Sequence, residues 1–205
     1  MPMPRATHLH DARMAVLRTA TTMATNGLVT GSSGNVSQRF EDRFLITPSG
    51  IPYDLLELEQ IVEIDADGRR LSGRGDPSSE WRMHVAIHNE RPDVAAIVHT
   101  HSVHATAVSL SLAELPILHD EGLILFGTRI PISDHHAPGT WELARAAALA
   151  LGKGRGMLIA RHGVVGVGRT PGEALMVAIK IEEAAHLFLH ARQLELSLVR
   201  PPVTS

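Results

Sequence analysis

Apolar residues recur at helical spacing near the start of the chain. Leu9, Ala12, Val16, Leu17, Ala20, Met23 and Ala24 share one side of a helix predicted over 9–26, with Gly27 as its stop. The glycine- and serine-rich stretch 31–35 follows as a loop. Val36 to Phe40 and Arg43 to Thr47 then read as a strand pair turning at Glu41-Asp42. A second loop covers 48–52, a strand is predicted over 60–65, and Asp67-Gly68 closes it as a turn. The loop 73–79 runs into a helix over 79–89, followed by a short apolar strand, Val94 to His99, and a helix over 103–112. Gly122 to Phe126 and Thr128 to Ile132 are predicted as strands, and 140–151 as an alanine-rich helix. Met157 to Ala160 and Val164 to Val167 pair around Arg161-His162-Gly163. The last helix, over 171–192, opens with Thr170 as cap, Pro171 in the first position and Glu173 in the first turn. The tail 200–205 is expected to fray.

Helices are spread between the strands, which predicts an α/β fold with one sheet and helices on both faces. The 205 residues suit a single domain over 1–205 and fall short of an ordinary (β/α)₈ barrel, which needs roughly 250 residues. A net charge of −3 gives no reason to expect nucleic acid or an anionic membrane surface as partner. No apolar run approaches the roughly 18–20 residues of a membrane helix, and residues 1–10 lack the order of a signal peptide, so the expected compartment is the cytoplasm. The absence of cysteine excludes disulfides, thiol nucleophiles and thiolate metal sites. Two counts change the picture: there are 13 histidines, a rich supply of imidazole, and a single tyrosine, Tyr53.

The sharpest histidine feature is Val98-His99-Thr100-His101 at the end of an apolar strand. Residues two apart in extended chain point to the same side, so His99 and His101 offer two imidazoles to one point. Zinc takes such nitrogens and about four ligands in all. Taken alone, polar residues at a strand end explain the pair equally well. Further ligands must come from elsewhere, and Glu80 at a helix start and His162 between two strands are the candidates. A carboxylate is the member able to swing away and open a position for substrate. A rival set, Glu80, His84 and His88, has the i, i+4, i+8 spacing of a shared helix face, but packing or surface positions are the better reading of those two histidines. His186 and His190 read as structural, His104 as packing or as support for a neighbouring metal ligand, and His135-His136 as an exposed pair in a turn or as functional. Three hydroxyl- and glycine-rich loops, 31–35, 47–50 and 77–79, have the small residues that let backbone N–H groups form an anion-binding concavity. The third leads into a helix N-terminus, which favours an anion. No Gly-Lys-Ser/Thr is present, so none is a nucleotide P-loop.

Together, the stretches Ser33-Gly-Asn-Val-Ser37, Ile46-Thr-Pro-Ser-Gly-Ile-Pro-Tyr53, Pro77-Ser-Ser-Glu-Trp-Arg-Met-His84, Val98-His-Thr-His101 and Arg161-His-Gly163 resemble the class II aldolase/adducin family, over about residues 10–195. The resemblance implies a three-layer α/β/α fold around a mainly antiparallel, mixed sheet. It implies a homotetramer with active sites at subunit interfaces. It implies zinc on His99, His101 and His162 with Glu80 as exchangeable fourth ligand and acid/base; manganese, cobalt or iron would suit the same donors. It places a substrate phosphate against Asn35, Ser49, Gly50, Ser78 and Ser79. The implied reaction is cleavage of a ketose 1-phosphate to dihydroxyacetone phosphate and an aldehyde, with the metal as Lewis acid. L-Fuculose 1-phosphate and 5-deoxy- or 5-methylthioribulose 1-phosphate are the implied substrates.

The chain departs from the family pattern in one respect. The family's fuculose-cleaving members use tyrosines as a second acid/base, one in a segment resembling Ile117-Leu118-His119-Asp120 and one in the C-terminal tail. Neither is present here. Asp120 or Glu121 is therefore expected to supply that proton, to the zinc of the neighbouring subunit, with the raised pKa such a role needs. Related readings on the same scaffold are a sugar-phosphate epimerase, dehydratase or decarboxylase, and a non-catalytic adducin-like module. The resembling epimerases carry aspartate where this chain has Glu80, and adducin-like heads lack the metal ligands that are all present here.

Overall fold

The computed structural model describes residues 5–194, so the expectation for the tail 200–205 lies outside the described residues. The chain opens with α1 (Arg5–Thr25) and the antiparallel pair β1 (Asn35–Phe40) and β2 (Arg43–Ile46). A 3₁₀ turn (Leu58–Gln60), β3 (Val62–Ile64) and β4 (Arg70–Ser72) lead to α2 (Trp81–Glu90) and β5 (Ala96–Thr100). Next come α3 (Val103–Ser109), β6 (Glu114–Pro116), α4 (Asp120–Phe126) and β7 (Arg129–Ser133). The chain ends with α5 (Trp141–Leu151), the hairpin β8 (Gly156–Ile159) and β9 (Gly163–Gly168), and α6 (Pro171–Gln193). The strands form one nine-stranded sheet in the order β4-β3-β2-β1-β5-β9-β8-β7-β6, and its only parallel pair among the described residues is β7·β8.

Strand alternation sorts the buried residues into two layers. On one face Val36, Ala96, Val98, Leu158 and Val164 pack against Val16, Ala20 and Met23 of α1, Ala105 and Val108 of α3, and the Ala174–Phe188 stripe of α6. On the other face Ile97, Met157, Ile159, Val165 and Val167 pack against Met83 and Ile87 of α2 and Leu143, Ala144, Ala147 and Leu151 of α5. The central strands β5, β8 and β9 thus read apolar on both sides over most of their length, as a sheet covered by two helix layers requires. The expected mixed-sheet α/β/α fold is the one observed. The predicted cap also forms, with the Thr170 hydroxyl accepting from Glu173 N, and the Thr140 hydroxyl caps α5 in the same way by accepting from Leu143 N.

One predicted element is wrong. Gly122 to Phe126 is not a strand but part of α4. Asp120 and Glu121 sit in its first turn, where acidic groups favour the exposed amides, and Leu123 N donates to His119 O to close the first turn. A short apolar run bounded by glycines suits either structure by pattern, and the acidic start decides it.

Candidate metal centre

The second face of β5 carries Ile97 and then His99 in the layer under α2, with His101 just beyond the strand end. Asn35 of β1 is in register with His99, and Val165 of β9 flanks it on the other side. The β8–β9 turn delivers His162 to the same place. That turn depends on Gly163: a Cβ there would lie 2.0 Å from the Thr100 carbonyl oxygen, so only glycine lets the hairpin approach β5 this closely. Arg161 turns the corner at φ 60°, and its N–H donates to Ser109 Oγ at 2.9 Å. Gly34, at φ 72°, likewise brings the loop before β1 against the His99 carbonyl, which an added Cβ would meet at 2.6 Å.

Glu80 immediately precedes α2 and is buried. Its Oε2 accepts from Asn35 Nδ2 at 3.0 Å and lies 3.1 Å from His99 Nε2, while Oε1 lies 3.4 Å from His162 Nε2. His101 Nε2 is 3.1 Å from both His99 Nε2 and His162 Nε2. The ligand atoms of Glu80, His99, His101 and His162 all lie within 4.8 Å of one another. His99 Nδ1–H donates to the Val164 carbonyl at 2.9 Å, which turns its Nε2 lone pair toward this point. Burial pushes the His101 and His162 pKa values down to about 4, aided by the other imidazoles, so both rings are neutral near pH 7. Burial also lowers His99, but the Glu80 carboxylate beside it outweighs that and raises it. Burial raises the Glu80 carboxyl, yet its histidine neighbours and the Asn35 amide hold it well below the usual carboxylate range. Three ring nitrogens therefore meet with too few protons to bridge them, and Glu80 Oε1 is buried without a hydrogen-bond partner. That donor set fits a divalent cation, with three neutral imidazoles and one carboxylate suiting zinc and its neighbours.

The site opens into a cavity of about 200 Å³ lined by Ser32, Ser33, Gly34, Asn35, Pro48, Ser49, Gly50, Ser78, Ser79, Glu80, His101, Pro138 and His162. All five residues expected at the phosphate therefore share one space with three of the four expected metal ligands. Among the described residues no lysine or arginine lines it, so an anion would rest on hydroxyls, free amides and the N-terminus of α2. The amides of Ser49 and Ser78 are already bonded to the Asp76 and Thr47 carbonyls, which fixes the two loops against each other. A larger open groove of about 850 Å³ lies between α2 and α5, but it holds none of these groups.

Asp120 and Glu121 are exposed at the start of α4 and do not line this cavity; Glu121 pairs with Lys180 at 3.1 Å. Tyr53 is buried and its hydroxyl donates to the Gly34 carbonyl at 2.6 Å, a brace for the loop before β1. Burial raises its pKa, which keeps that donor protonated. His104 bonds Glu182 at 2.7 Å and stacks on His186, in keeping with a structural role.

His84 and His88 are buried in α2, as the packing reading expects, yet they join a polar chain that sequence reasoning missed. Burial pushes both pKa values down to about 3. The unfolded chain binds protons at these positions below about pH 6.5 while the fold does not, so stability is full above that value and falls as pH drops toward 3. Between pH 7 and 5 each histidine is expected to remove roughly 2 kcal/mol. Urea unfolding of the protein across that window reads this directly, and a flat midpoint would contradict it.

Residues 14–189 match the family described as the class II aldolase and adducin N-terminal domain. An L-fuculose phosphate aldolase of Escherichia coli is 40% identical over 174 residues, 85% of this chain and 80% of that protein. A 5-methylthioribulose-1-phosphate/5-deoxyribulose-1-phosphate aldolase of Rhodospirillum rubrum is 37% identical over 182 residues, 89% of this chain and 82% of that protein. A solved L-fuculose 1-phosphate aldolase superposes with a TM-score of 0.88 at 28% identity, covering 94% of this chain and 91% of that one. With its fold, its motifs and its matched length in agreement, the chain belongs to the class II aldolase and adducin N-terminal domain family.

Proposed function

We propose that this protein is a zinc-dependent aldolase that cleaves a ketose 1-phosphate to dihydroxyacetone phosphate and an aldehyde. The observation that carries this reading is the opening of the Glu80, His99, His101 and His162 group into the same cavity as the hydroxyl-rich loops. That arrangement suits a substrate with a carbonyl near the metal and a phosphate a few bonds away. Those four side chains would hold a divalent ion, which would supply a Lewis acid for the substrate carbonyl. Asn35, Ser49, Gly50, Ser78 and Ser79 hold the phosphate. Glu80, the one carboxylate of the group, would exchange a proton at C3, the carbon that leaves with dihydroxyacetone phosphate. Asp120 or Glu121 moves the proton at the aldehyde oxygen.

Because those two acids lie outside the cavity of their own chain, this assignment requires a neighbouring subunit, in a homotetramer with interfacial sites. Asp120→Asn or Glu121→Gln is expected to lower turnover about 10²-fold, with steady-state kinetics as the measurement. Two variants that both keep full turnover would remove these residues from the mechanism. The names of the relatives bring L-fuculose 1-phosphate and the 5-deoxy- and 5-methylthioribulose 1-phosphates forward as substrates. We place the enzyme in the cytoplasm; among the described residues, no helix is long and apolar enough to cross a membrane.

The test is a panel of these ketose 1-phosphates with an assay coupled to dihydroxyacetone phosphate. Release from at least one member supports the reading. No release from any, with epimerisation of a pentulose 5-phosphate instead, would replace it.

A further inference from the structure

One face of β1 and one face of α2 run alongside each other and are polar where they meet. Asn35 and Ser37, two apart on the strand, face Glu80, His84 and His88, four apart on the helix side. All five are buried. They form one linear chain of contacts. Asn35 Nδ2 donates to Glu80 Oε2 at 3.0 Å, and His84 Nε2 bonds Asn35 Oδ1. His84 Nδ1 lies 2.7 Å from Ser37 Oγ, Ser37 Oγ lies 3.1 Å from His88 Nε2, and His88 Nδ1 lies 3.3 Å from the Val94 carbonyl.

A count of hydrogens gives this chain a direction. Both ends, the Glu80 carboxylate and the Val94 carbonyl, only accept. Asn35, neutral His84, Ser37 and neutral His88 each place one hydrogen along the chain, so four hydrogens serve five contacts. One contact must go without. A bond to a carboxylate is stronger than one to a neutral carbonyl, so the shortfall falls at the far end, where the contact is also the longest. His88 Nε2–H then donates to Ser37, the Ser37 hydroxyl to His84 Nδ1, His84 Nε2–H to Asn35 Oδ1, and Asn35 Nδ2 to Glu80. The opposite His84 tautomer would present a lone pair to Asn35 and draw its NH₂ group away from Glu80.

We propose that His84, its tautomer set by Ser37 and His88, is a positioning residue that acts through the Asn35 amide to hold the Glu80 carboxylate toward the three-histidine centre. The inference rests on the reading of that centre as a divalent-ion site. It assigns the Asn35 side chain to Glu80 and His84, and leaves one Nδ2 hydrogen for the substrate phosphate.

The test is cobalt(II) binding by competition with a chelating dye, together with the cobalt d–d absorption, which reports the ligand set without any substrate. His84→Phe removes the donor to Asn35 and is expected to weaken cobalt binding about 10- to 100-fold and to shift the d–d bands. His84→Gln places an amide N–H near the position of Nε2 and is expected to stay within about threefold of wild type. Ser37→Ala, the smallest change in the chain, is expected to weaken binding in the same direction as His84→Phe. Wild-type affinity and bands in both His84→Phe and Ser37→Ala overturn the inference. So does a His84→Gln variant as impaired as His84→Phe, because packing alone would then explain the loss. A wild-type protein that binds no cobalt overturns the metal site and this inference together. A wild-type protein that binds cobalt but cleaves no ketose phosphate overturns only the proposed reaction.

Discussion

His99→Ala is expected to abolish tight binding of a divalent ion and to lower turnover by at least about 10³-fold, the scale of several kcal/mol of Lewis-acid stabilisation. His99 is fully buried and central to the group: its Nε2 faces Glu80 and His101, and its Nδ1 is tied to Val164. No neighbour can take its place, because the strand on either side is held in register by β1 and β9. Removal also deletes the buried hydrogen bond from His99 Nδ1–H to the Val164 carbonyl, worth about 0.5–1.5 kcal/mol. His101→Ala separates these two effects. That ring is only half-buried, so the fold keeps more of its stability while the ion loses a ligand. Metal content after gel filtration and thermal midpoint, measured on both variants, make the comparison. A His99→Ala protein that retains one ion per chain with wild-type turnover would contradict the ligand assignment.

The second large effect is expected from Glu80→Gln. The amide keeps an acceptor for Asn35 Nδ2 and nearly the same volume, so the loops around it are undisturbed. It loses the negative charge and the ability to exchange a proton. Three imidazoles still hold an ion, more weakly. Turnover is expected to fall about 10²- to 10⁴-fold with zinc in excess, the range for loss of a positioned acid/base, while KM for the phosphosugar changes little. That split matters, because the phosphate rests on other residues. A variant within about twofold of wild-type kcat would mean that Glu80 is a ligand only.

How much of this was legible in the sequence depended on the length scale of the signal. Period-two alternation was enough to see that His99 and His101 share a side. Residue chemistry also singled out three hydroxyl-rich loops, and the resemblance tied Glu80 and His162 to the same centre. Four features escaped. The strands β4 and β6 are as short as β3, three residues each, and lack its apolar–polar–apolar order, so no alternation registers. The run Gly122–Phe126 is apolar and short, so pattern could not separate strand from helix, and the acidic first turn at Asp120 and Glu121 was read as chemistry rather than as a helix start. The sequence pattern puts Asn35 at the end of a loop, whereas it begins β1, and its amide bonds Glu80 and His84 as well as lining the cavity. The chain through Ser37, His84 and His88 escaped for a related reason. Its members come from a strand of period two and a helix of period 3.6, and nothing in either segment alone says that the two polar faces meet. Tyr53, a compositional oddity at first, is a buried brace on the Gly34 carbonyl.

The central claim is that Glu80, His99, His101 and His162 hold the divalent ion that makes ketose 1-phosphate cleavage possible. It is tested most directly by measuring dihydroxyacetone phosphate release from wild-type protein stripped of metal and then titrated with zinc. The stripped protein is expected to cleave nothing, and recovery is expected to saturate at one zinc per chain. Full cleavage by the stripped protein, or recovery that needs a different stoichiometry, would contradict it.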